Sequence, residues 1–131
     1  MIDGVGVDIV EIARIRKAVE TWGGRFLNRV FNPQEILYAH SHQFPYPHFA
    51  GRFAAKEAVY KAIGMRTLSW KDITIINAPD GKPVCHLKFS IAGHIHLSIS
   101  HSRHYAVANA IFVREAVLSH EPSVSFASRK H

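Results

Sequence analysis

The first third of the chain alternates short apolar stretches with helical periodicity. Ile2 to Ile9 is an apolar run interrupted by glycine, which predicts a short buried strand. From Glu11 to Trp22 the apolar residues recur every three or four positions, which is typical of an amphipathic helix. Gly23-Gly24 closes that helix, and the apolar residues from Phe26 to Phe31 predict another helical turn or two.

Two more helices follow. Asn32-Pro33-Gln34-Glu35 has the residues of a helix start, with Asn at the N-cap, Pro at the first helical position and Glu three residues after the cap. This helix should run to about Ser41. The stretch from His42 to His48 contains two prolines and is predicted as a loop. An Ala-rich helix from about Phe49 to Ile63 comes next, with Gly64 where a left-handed C-terminal residue is favoured.

The second half of the chain has the periodicity of strands. Asp72 to Asn77 and Pro83 to Phe89 flank Ala78 to Lys82, whose Asp-Gly pair predicts a hairpin turn. His96 to Ser100 and Tyr105 to Val113 predict a second pair of strands. Helices followed by a run of antiparallel strands indicate an α+β fold.

The last strand and the C-terminal end raise separate questions. Tyr105 to Val113 is apolar on both faces, so either a partner subunit or helices of the same chain should cover its second face. Residues Glu115 to His131 lose the periodicity and gain Ser, Pro and charge. We therefore predict one domain over residues 1–114 and a loosely ordered tail over residues 115–131.

Composition narrows the classes of partner and the compartment. The 131 residues include 16 Lys and Arg against 10 Asp and Glu, a net charge of +6 that favours nucleic acid, phosphorylated ligands, anionic membranes or acidic proteins. The single cysteine, Cys85, excludes an internal disulfide and a multi-thiolate zinc site, and we expect it to be a strand residue. No apolar run approaches a membrane span of about 18 residues. Because a secretory signal is also missing at the N-terminus, we expect a cytoplasmic protein.

Three charged residues are candidates for chemistry. Asp8 lies where the first strand meets the first helix, and a carboxylate there either caps that helix or holds a cation. Glu57 and Lys61 lie four residues apart on one face of the Ala-rich helix, which is the spacing of a solvated ion pair. The alanines around them are short and would let another element or a ligand approach. A carboxylate for a metal and a nearby ammonium group would then suit pyrophosphate chemistry.

Other polar residues allow weaker interpretations. Two pairs of histidines have i,i+2 spacing, which permits zinc binding: His40 with His42, and His94 with His96. No third and fourth ligand is evident, so we expect these histidines to lie on the surface. Basic residues on the first helices permit a nucleic-acid surface, but no aromatic or amide readers accompany them: Arg14, Lys17, Arg25 and Arg29.

Four ordered blocks of the sequence resemble one enzyme family. They are Gly6 to Ile12, Phe49 to Ala58 with Lys61-Ala62-Ile63-Gly64, Gly81-Lys82-Pro83, and His96 to His101 followed by Tyr105-Ala106. Together they resemble the phosphopantetheinyl transferases. The length of the chain and the early Asp8 match the short, single-domain branch, the holo-[acyl-carrier-protein] synthases. The resemblance covers about Ile2 to Arg114.

The resemblance implies a fold and an activity. It implies the α+β fold of the 4'-phosphopantetheinyl transferases, in homotrimers whose sites lie between neighbouring subunits. The implied reaction is a magnesium-dependent transfer of 4'-phosphopantetheine from coenzyme A to a serine of apo acyl carrier protein. Adenosine 3',5'-bisphosphate is the other product, and the process served is fatty acid biosynthesis. Neither nucleic acid nor a membrane is needed as a partner.

The resemblance also implies roles for single residues. Asp8 and Glu57 become the magnesium ligands, Lys61 reaches the pyrophosphate, and His101 lies beside the phosphates. The coenzyme site is lined by Arg52, Lys56, Gly64, Lys82 and Pro83. Arg14 and Arg25 meet the acidic recognition helix of the carrier protein. The base that takes the serine proton is either Glu57, directly or through a water, or His101.

One departure and two alternatives remain. Related enzymes often place a basic residue for the 3'-phosphate of coenzyme A in the loop before Phe49, but here no Lys or Arg occurs between Arg29 and Arg52. Histidines of this loop would make the hold on that phosphate pH-dependent. The alternatives are a metal-dependent phosphohydrolase that uses the same two carboxylates, and a basic nucleic-acid-binding module.

Overall fold

The architecture is one strand, four helices and then four more strands, in a computed structural model that describes residues 1–64 and 67–116. The elements are β1 (Ile2–Glu11), α1 (Ile12–Trp22), α2 (Gly24–Val30), α3 (Pro33–His40), α4 (Tyr46–Ile63), a 3-10 turn (Trp70–Asp72), β2 (Ile73–Asn77), β3 (Pro83–Leu87), β4 (Gly93–His101) and β5 (Tyr105–Arg114). The α+β class predicted from the order of periodicities is confirmed.

The strands form two separate antiparallel sheets rather than one continuous sheet. β2 pairs with β3 through the predicted hairpin, while the larger sheet has the order β1-β5-β4. Asp8 of β1 lies opposite Ala108 of β5, which in turn lies opposite Ile99 of β4. The first strand of the chain therefore neighbours the last, a pairing that no local pattern in the sequence predicts.

Helix α4 packs across one face of the larger sheet at close range. Its buried alanines meet the buried alanines of β5, namely Ala106, Ala108 and Ala110. On β1, a Cβ atom added to Gly4 or Gly6 would overlap the carbonyl oxygen of Ala62 or Ala58. Small residues on both sides thus let the backbone of β1 touch the backbone of α4. This contact brings Asp8 to the helix that carries Glu57 and Lys61.

The helix boundaries agree with the sequence pattern except at one place. The start of α3 is as predicted, because the Asn32 N–H donates to Glu35 Oε1 at 2.8 Å. Gly64 ends α4 in the left-handed region, with φ of 76°. The predicted loop up to His48 is wrong at its end, since α4 begins at Tyr46. Pro47 occupies the first turn of α4, where a missing N–H costs no helical hydrogen bond.

The second face of the larger sheet is apolar along β1 and part of β5, and it is not covered by the described part of the chain. Val5, Val7 and Ile9 of β1 are 57 to 63% exposed. In β5, Val107 and Ile111 are half-buried beside them. Helices of the same chain therefore cover one face of β5, and the other faces outward.

Two expectations concern membrane contact and the tail. Over residues 1–64 and 67–116, every helix is too short or too polar to cross a bilayer. The predicted loose tail begins at Glu115, whose N–H donates to the Ala92 carbonyl at 2.9 Å. Residues 117–131, which make up most of that tail, lie outside the described residues.

Candidate active site

Asp8, Glu57 and Lys61 come together where β1 crosses α4. Lys61 Nζ lies 3.2 Å from Asp8 Oδ1 and donates to the Val7 carbonyl at 2.9 Å. Lys61 is thus tied to β1 and is not simply one half of a solvated helix pair. The alternative role of Asp8 as a helix cap is wrong, because Glu11 occupies the N-cap position of α1.

The pKa of Glu57 is shifted by its surroundings, which include a second acidic residue. Its side chain is half-buried, and this burial raises the pKa of the carboxyl group above its ordinary value. The negative charge of Asp8 raises the Glu57 pKa further, while Lys61 lowers it. Two carboxylates that repel each other in one cleft are a natural place for a cation.

These two carboxylates fit Mg²⁺ better than a metal that needs a complete protein cage. Within the described residues, no group of three or more His, Cys, Asp or Glu side chains is arranged to hold a metal ion. Mg²⁺ is commonly held by one or two carboxylates and completes its octahedron with waters and phosphate oxygens. The donor set at Asp8 and Glu57 is therefore suited to Mg²⁺ bound together with a phosphorylated ligand.

A cavity of about 220 Å³ opens beside Glu57. Aromatic and aliphatic side chains make up much of its wall: Tyr60, Leu68, Trp70 and Ile73. Glu57 and Ser69 are among its polar residues. The Trp70 ring stacks on Phe53 at a centroid distance of 4.9 Å, which fixes that wall to α4. The arrangement can hold an uncharged part of a ligand next to the carboxylate pair.

Lys56 lies at the back of this cavity but is wholly buried. Its Nζ lies 2.7 Å from Glu35 Oε1 and donates to the carbonyls of Val30 at 2.7 Å and Trp70 at 3.1 Å. Burial lowers the pKa of Lys56, and the charge of Glu35 opposes that shift. All three ammonium hydrogens have partners in the protein, so Lys56 joins α2, α3 and α4 around the site. Its contact with a coenzyme stays a prediction.

Sequence reasoning assigned Glu35 only a capping role and missed this ion pair. Its second oxygen, Oε2, accepts the N–H of Ile75 at 2.8 Å, so one carboxylate ties α3 to both α4 and β2. Glu35 and Lys56 are 21 positions apart, and no periodicity links them. A buried-looking lysine inside an Ala-rich helix was the one hint that a buried acid was required.

Arg52 is the second buried cation of α4. Its guanidinium carbon lies 4.0 Å from the centre of the Tyr38 ring, and its Nη2 donates to Asn77 Oδ1. Asn77 Nδ2 donates in turn to the Gly81 carbonyl at 2.8 Å, which anchors the turn that carries Lys82. Burial lowers the pKa of Arg52. Its Nε is buried and has no hydrogen-bond partner in the part of the chain described.

Three histidines from separate elements meet near Arg52, and we call His42, His48 and His101 the histidine cluster. The rings of His42 and His48 stack at a centroid distance of 3.6 Å, and the ring of His101 lies 6.0 Å from that of His48. The Tyr38 ring packs edge-on against both His42 and His48. Sequence spacing predicted surface histidines paired with their neighbours at i+2, and it missed this cluster because its members are six or more positions apart.

The remaining predicted residues lie on three other parts of the surface. Gly64 ends α4, one turn beyond Lys61. Lys82 and Pro83 lie at the β2–β3 turn. Arg14 is exposed on α1, and Arg25 is exposed on α2 with its guanidinium 5.7 Å from the centre of the Trp22 ring. The structure thus unites Asp8, Glu57 and Lys61 at one place, and joins Arg52 to the hairpin turn and to the neighbourhood of His101.

Comparisons with known proteins match this architecture to one family. The family model of the 4'-phosphopantetheinyl transferase superfamily matches residues 4–110. A holo-[acyl-carrier-protein] synthase from Thermodesulfovibrio yellowstonii is 49% identical over 112 residues, which cover 82% of this chain and 96% of that protein.

Two crystal structures of synthases with bound coenzyme A are also similar. The holo-(acyl-carrier-protein) synthase from Bacillus anthracis, in complex with CoA (3',5'-ADP), has a TM-score of 0.76 and 38% identity, with 86% of this chain and 96% of that chain covered. The Helicobacter pylori enzyme in complex with coenzyme A has a TM-score of 0.76 and 33% identity, with 83% and 99% covered.

Proposed function

Because the chain belongs to the 4'-phosphopantetheinyl transferase superfamily and has the activity of a holo-[acyl-carrier-protein] synthase, we propose the following reaction. The enzyme transfers 4'-phosphopantetheine from coenzyme A to a serine hydroxyl of apo acyl carrier protein and releases adenosine 3',5'-bisphosphate. The observation that carries this proposal is the contact of Lys61 with Asp8 beside Glu57, where one ammonium and two carboxylates meet next to a cavity.

Asp8 and Glu57 are the residues that would hold Mg²⁺ in this reaction. Burial is the largest cause of the raised pKa of Glu57, and the charge of Asp8 raises it further; this second contribution supports the assignment, because it places another acid close enough to repel Glu57. When bound, Mg²⁺ would offset the negative charge of the pyrophosphate oxygens. Lys61 then serves as the protein's own cation for the same group, since its ammonium lies against Asp8 and is 48% exposed.

The chemical step needs one proton acceptor. The serine Oγ forms a bond to the β-phosphorus of coenzyme A while the bond from that phosphorus to the bridging oxygen breaks. The serine proton has to leave during the attack. We assign it to Glu57, directly or through a water, because this carboxylate would lie beside the phosphorylated ligand, with His101 as the second candidate. The electron pair of the broken bond leaves with adenosine 3',5'-bisphosphate.

The coenzyme and the carrier protein would use different basic residues. We assign the coenzyme to Arg52, Gly64, Lys82, Pro83 and His101, supported by the bonds that tie Arg52 through Asn77 to the Lys82 turn. Lys56 would support this site from behind, since its buried ammonium is bonded to protein acceptors. Arg14 and Arg25, exposed on the first two helices, would meet an acidic helix of the carrier protein. The positive net charge is thereby divided between a phosphorylated ligand and an acidic partner.

We also propose that the enzyme is a homotrimer that works in the cytoplasm, in fatty acid biosynthesis. The uncovered apolar face of β1 and β5 supports an assembly, because surfaces with several adjacent exposed aliphatic side chains commonly mark contacts between subunits.

The test is an intact-mass assay of the carrier protein. The full chain is mixed with Mg²⁺, coenzyme A and apo acyl carrier protein, and a carrier whose acceptor serine is replaced by alanine serves as the control. We expect the carrier that has the acceptor serine to gain the mass of one phosphopantetheine, and the alanine variant to gain none. No mass gain would refute the proposal, and breakdown of coenzyme A without any carrier would favour the phosphohydrolase.

A further inference from the structure

Lys56 of α4 and Glu35 of α3 form an ion pair in which both side chains are wholly buried. Because neither charged group is exposed, neither can touch the pyrophosphate of a coenzyme or the serine of a carrier protein. The proposed reaction therefore gives the pair no direct part. Any effect of the pair on the site has to pass through the backbone groups that it binds.

Through Lys56 the pair holds one wall of the cavity beside Glu57. Lys56 Nζ donates to the carbonyl of Trp70 at 3.1 Å, and the Trp70 side chain lines that cavity. Lys56 and Glu57 are consecutive on α4, so their side chains point about 100° apart around the helix axis. One turn of α4 thus presents a carboxylate to the cavity and binds the wall next to it. The bond from Lys56 to Trp70 therefore helps to set the distance between Glu57 and that wall.

Through Glu35 the pair also holds the strand that continues from this wall. Glu35 Oε2 accepts the N–H of Ile75 at 2.8 Å, and Oε1 accepts the N–H of Asn32 at 2.8 Å. Asn32 Nδ2 donates in turn to the carbonyl of Ile73 at 3.2 Å, and Ile73 is part of the same wall. Directional bonds thus attach the wall to α3 and α4 at positions 70, 73 and 75.

A buried pair of this kind is better suited to fixing positions than to raising stability. Both charges lose their hydration on burial, and replacing such a pair by apolar side chains of similar volume is often neutral or stabilising. Apolar contacts are non-directional, whereas the hydrogen bonds of the pair fix particular carbonyl and N–H groups. The bonds of Lys56 and Glu35 therefore point to a geometric role.

We propose that Glu35 and Lys56 are positioning residues for the transfer reaction, which hold the Trp70 wall at the distance from Glu57 that the uncharged arm of coenzyme A requires. The inference rests on the proposed function, since it takes coenzyme A as the ligand. The arm lies between the pyrophosphate and the thiol of the coenzyme, and it suits a wall of aromatic and aliphatic side chains. Adenosine 3',5'-bisphosphate lacks this arm, so its binding should not depend on the pair.

A double variant that removes both charges, Glu35→Gln with Lys56→Met, tests this inference. Gln keeps the volume and an oxygen acceptor, and Met fills the space of the lysine chain, so no buried charge is left alone. We expect circular dichroism to show a folded protein, and kcat/KM for coenzyme A to fall roughly 10- to 100-fold, the effect of a misplacement of about 1 Å. The inhibition constant of adenosine 3',5'-bisphosphate should stay unchanged. Glu20→Gln with Arg16→Met removes the exposed ion pair of α1 and is the matched control, which should change neither constant.

Two further measurements separate positioning from a general loss of structure. The effects of the single variants Glu35→Gln and Lys56→Met on kcat/KM should not add in the double variant, because either one breaks the pair. In a Trp22→Phe background, Trp70 is the one tryptophan left in the chain. Its fluorescence emission should move to longer wavelength in the double variant, because a wall that is no longer held admits water.

The remaining outcomes decide against the inference. Unaltered kinetics with coenzyme A in a folded double variant would overturn it. An equal loss of affinity for coenzyme A and for adenosine 3',5'-bisphosphate would overturn it as well, since the pair would then support the whole site and not the wall for the arm. If the double variant and Glu35→Gln both fail to fold, the pair is required for the fold and the inference is wrong.

These outcomes are distinct from a failure of the proposed function. The proposed function fails if the unaltered chain transfers no phosphopantetheine to the carrier protein, and this inference then fails with it. With an active unaltered chain, each result for the variants bears on the role of Glu35 and Lys56 alone.

Discussion

At the scale of single residues, the charge of Glu57 is the most consequential in the site, because the side chain is half-buried and lies near the negative charge of Asp8. Replacing Glu57 by Gln keeps the volume of the side chain and removes the charge. We expect the turnover number to fall by roughly 10²–10³, the effect of losing one major electrostatic group in an active site. Initial rates measured over a range of Mg²⁺ concentrations would check this.

Glu20→Gln is the matched control for Glu57→Gln, because Glu20 is an exposed acid of α1 paired with Arg16. It should leave the rate near that of the unaltered enzyme. A near-normal rate for Glu57→Gln, at an ordinary Mg²⁺ concentration, would show that the metal site has been assigned to the wrong residues.

His48 should make the fold sensitive to acid in the absence of ligand. Its pKa is about 4 in the folded chain and 6.5 in a free side chain, so between these values the unfolded state binds the additional proton. Stability that is present above about pH 6.5 is therefore lost as the pH falls towards about 4. Thermal unfolding followed by circular dichroism should show a shallower loss for His48→Gln than for His86→Gln, which removes an exposed histidine of β3 outside the cluster. Identical curves for the two variants would contradict it.

Single residues also show what a sequence can and cannot reveal about the site. Asp8, Glu57 and Lys61 were predicted from ordered motifs, and the structure brings them together. The contact of Lys61 with Asp8 was not predicted, because the two residues are 53 positions apart and only the fold joins them. The Glu35–Lys56 pair and the histidine cluster were missed for the same reason, since each is made between separate elements.

At the scale of elements, the contact between β1 and α4 positions the whole site. A methyl group at position 6 would overlap the backbone of α4 at Ala58, and a backbone atom cannot move aside as a flexible side chain can. We expect Gly6→Ala to lower the free energy of unfolding by about 1–3 kcal/mol. Chemical denaturation measures the stability, and the rate of transfer should fall as well, because Asp8 moves with β1.

Gly24→Ala provides the control for that substitution. A Cβ atom at Gly24 would lie 3.5 Å from the amide nitrogen of Asn28, an ordinary contact, and alanine suits the first turn of α2. This variant should be as stable as the unaltered chain or slightly more stable. An equal loss of stability in Gly6→Ala and Gly24→Ala would contradict the prediction, because it would show that the close contact of Gly6 with α4 is not the cause of the loss.

Helix α1 should act as the docking element for the acidic carrier protein. Arg14→Glu reverses a charge on its exposed face and should raise the KM for the carrier protein by about tenfold, while the Kd for coenzyme A stays the same. Lys88→Glu makes the same change in net charge at another exposed position and is the control. Steady-state kinetics give the KM for the carrier protein, and equilibrium titration gives the Kd for coenzyme A. An equal loss of affinity for both ligands would point to a misfolded protein instead.

Element boundaries were largely predictable because they depend on local chemistry. The capping residues of α3 and the glycine after α4 carried enough information to place helix ends correctly. Pro47 misled the prediction, since a proline both breaks a helix interior and suits a first turn, and only the tertiary structure decides between the two. The division of the strands into two sheets depends on long-range pairing and could not be read from periodicity.

At the scale of the whole molecule, the outward apolar face predicts the oligomeric state. We expect light scattering to give the mass of a trimer, and Val7→Lys to give a monomer that remains folded, because Val7 is 57% exposed in the single chain. Activity should fall together with the assembly if sites lie between subunits. Leu37→Lys, which changes an exposed apolar residue on α3, should stay trimeric. A monomeric unaltered protein would refute the assembly.

The pairing of β1 with β5 has a consequence for how the protein is made in the cell. β1 comprises Ile2–Glu11, and its partner β5 comprises Tyr105–Arg114, the last strand of the domain. During synthesis the first strand emerges early and has no neighbour in its sheet until nearly the whole domain has been translated. Contacts of such high sequence separation form slowly. The nascent chain therefore carries an unpaired aliphatic strand for most of its time on the ribosome, a segment that chaperones would be expected to shield from aggregation.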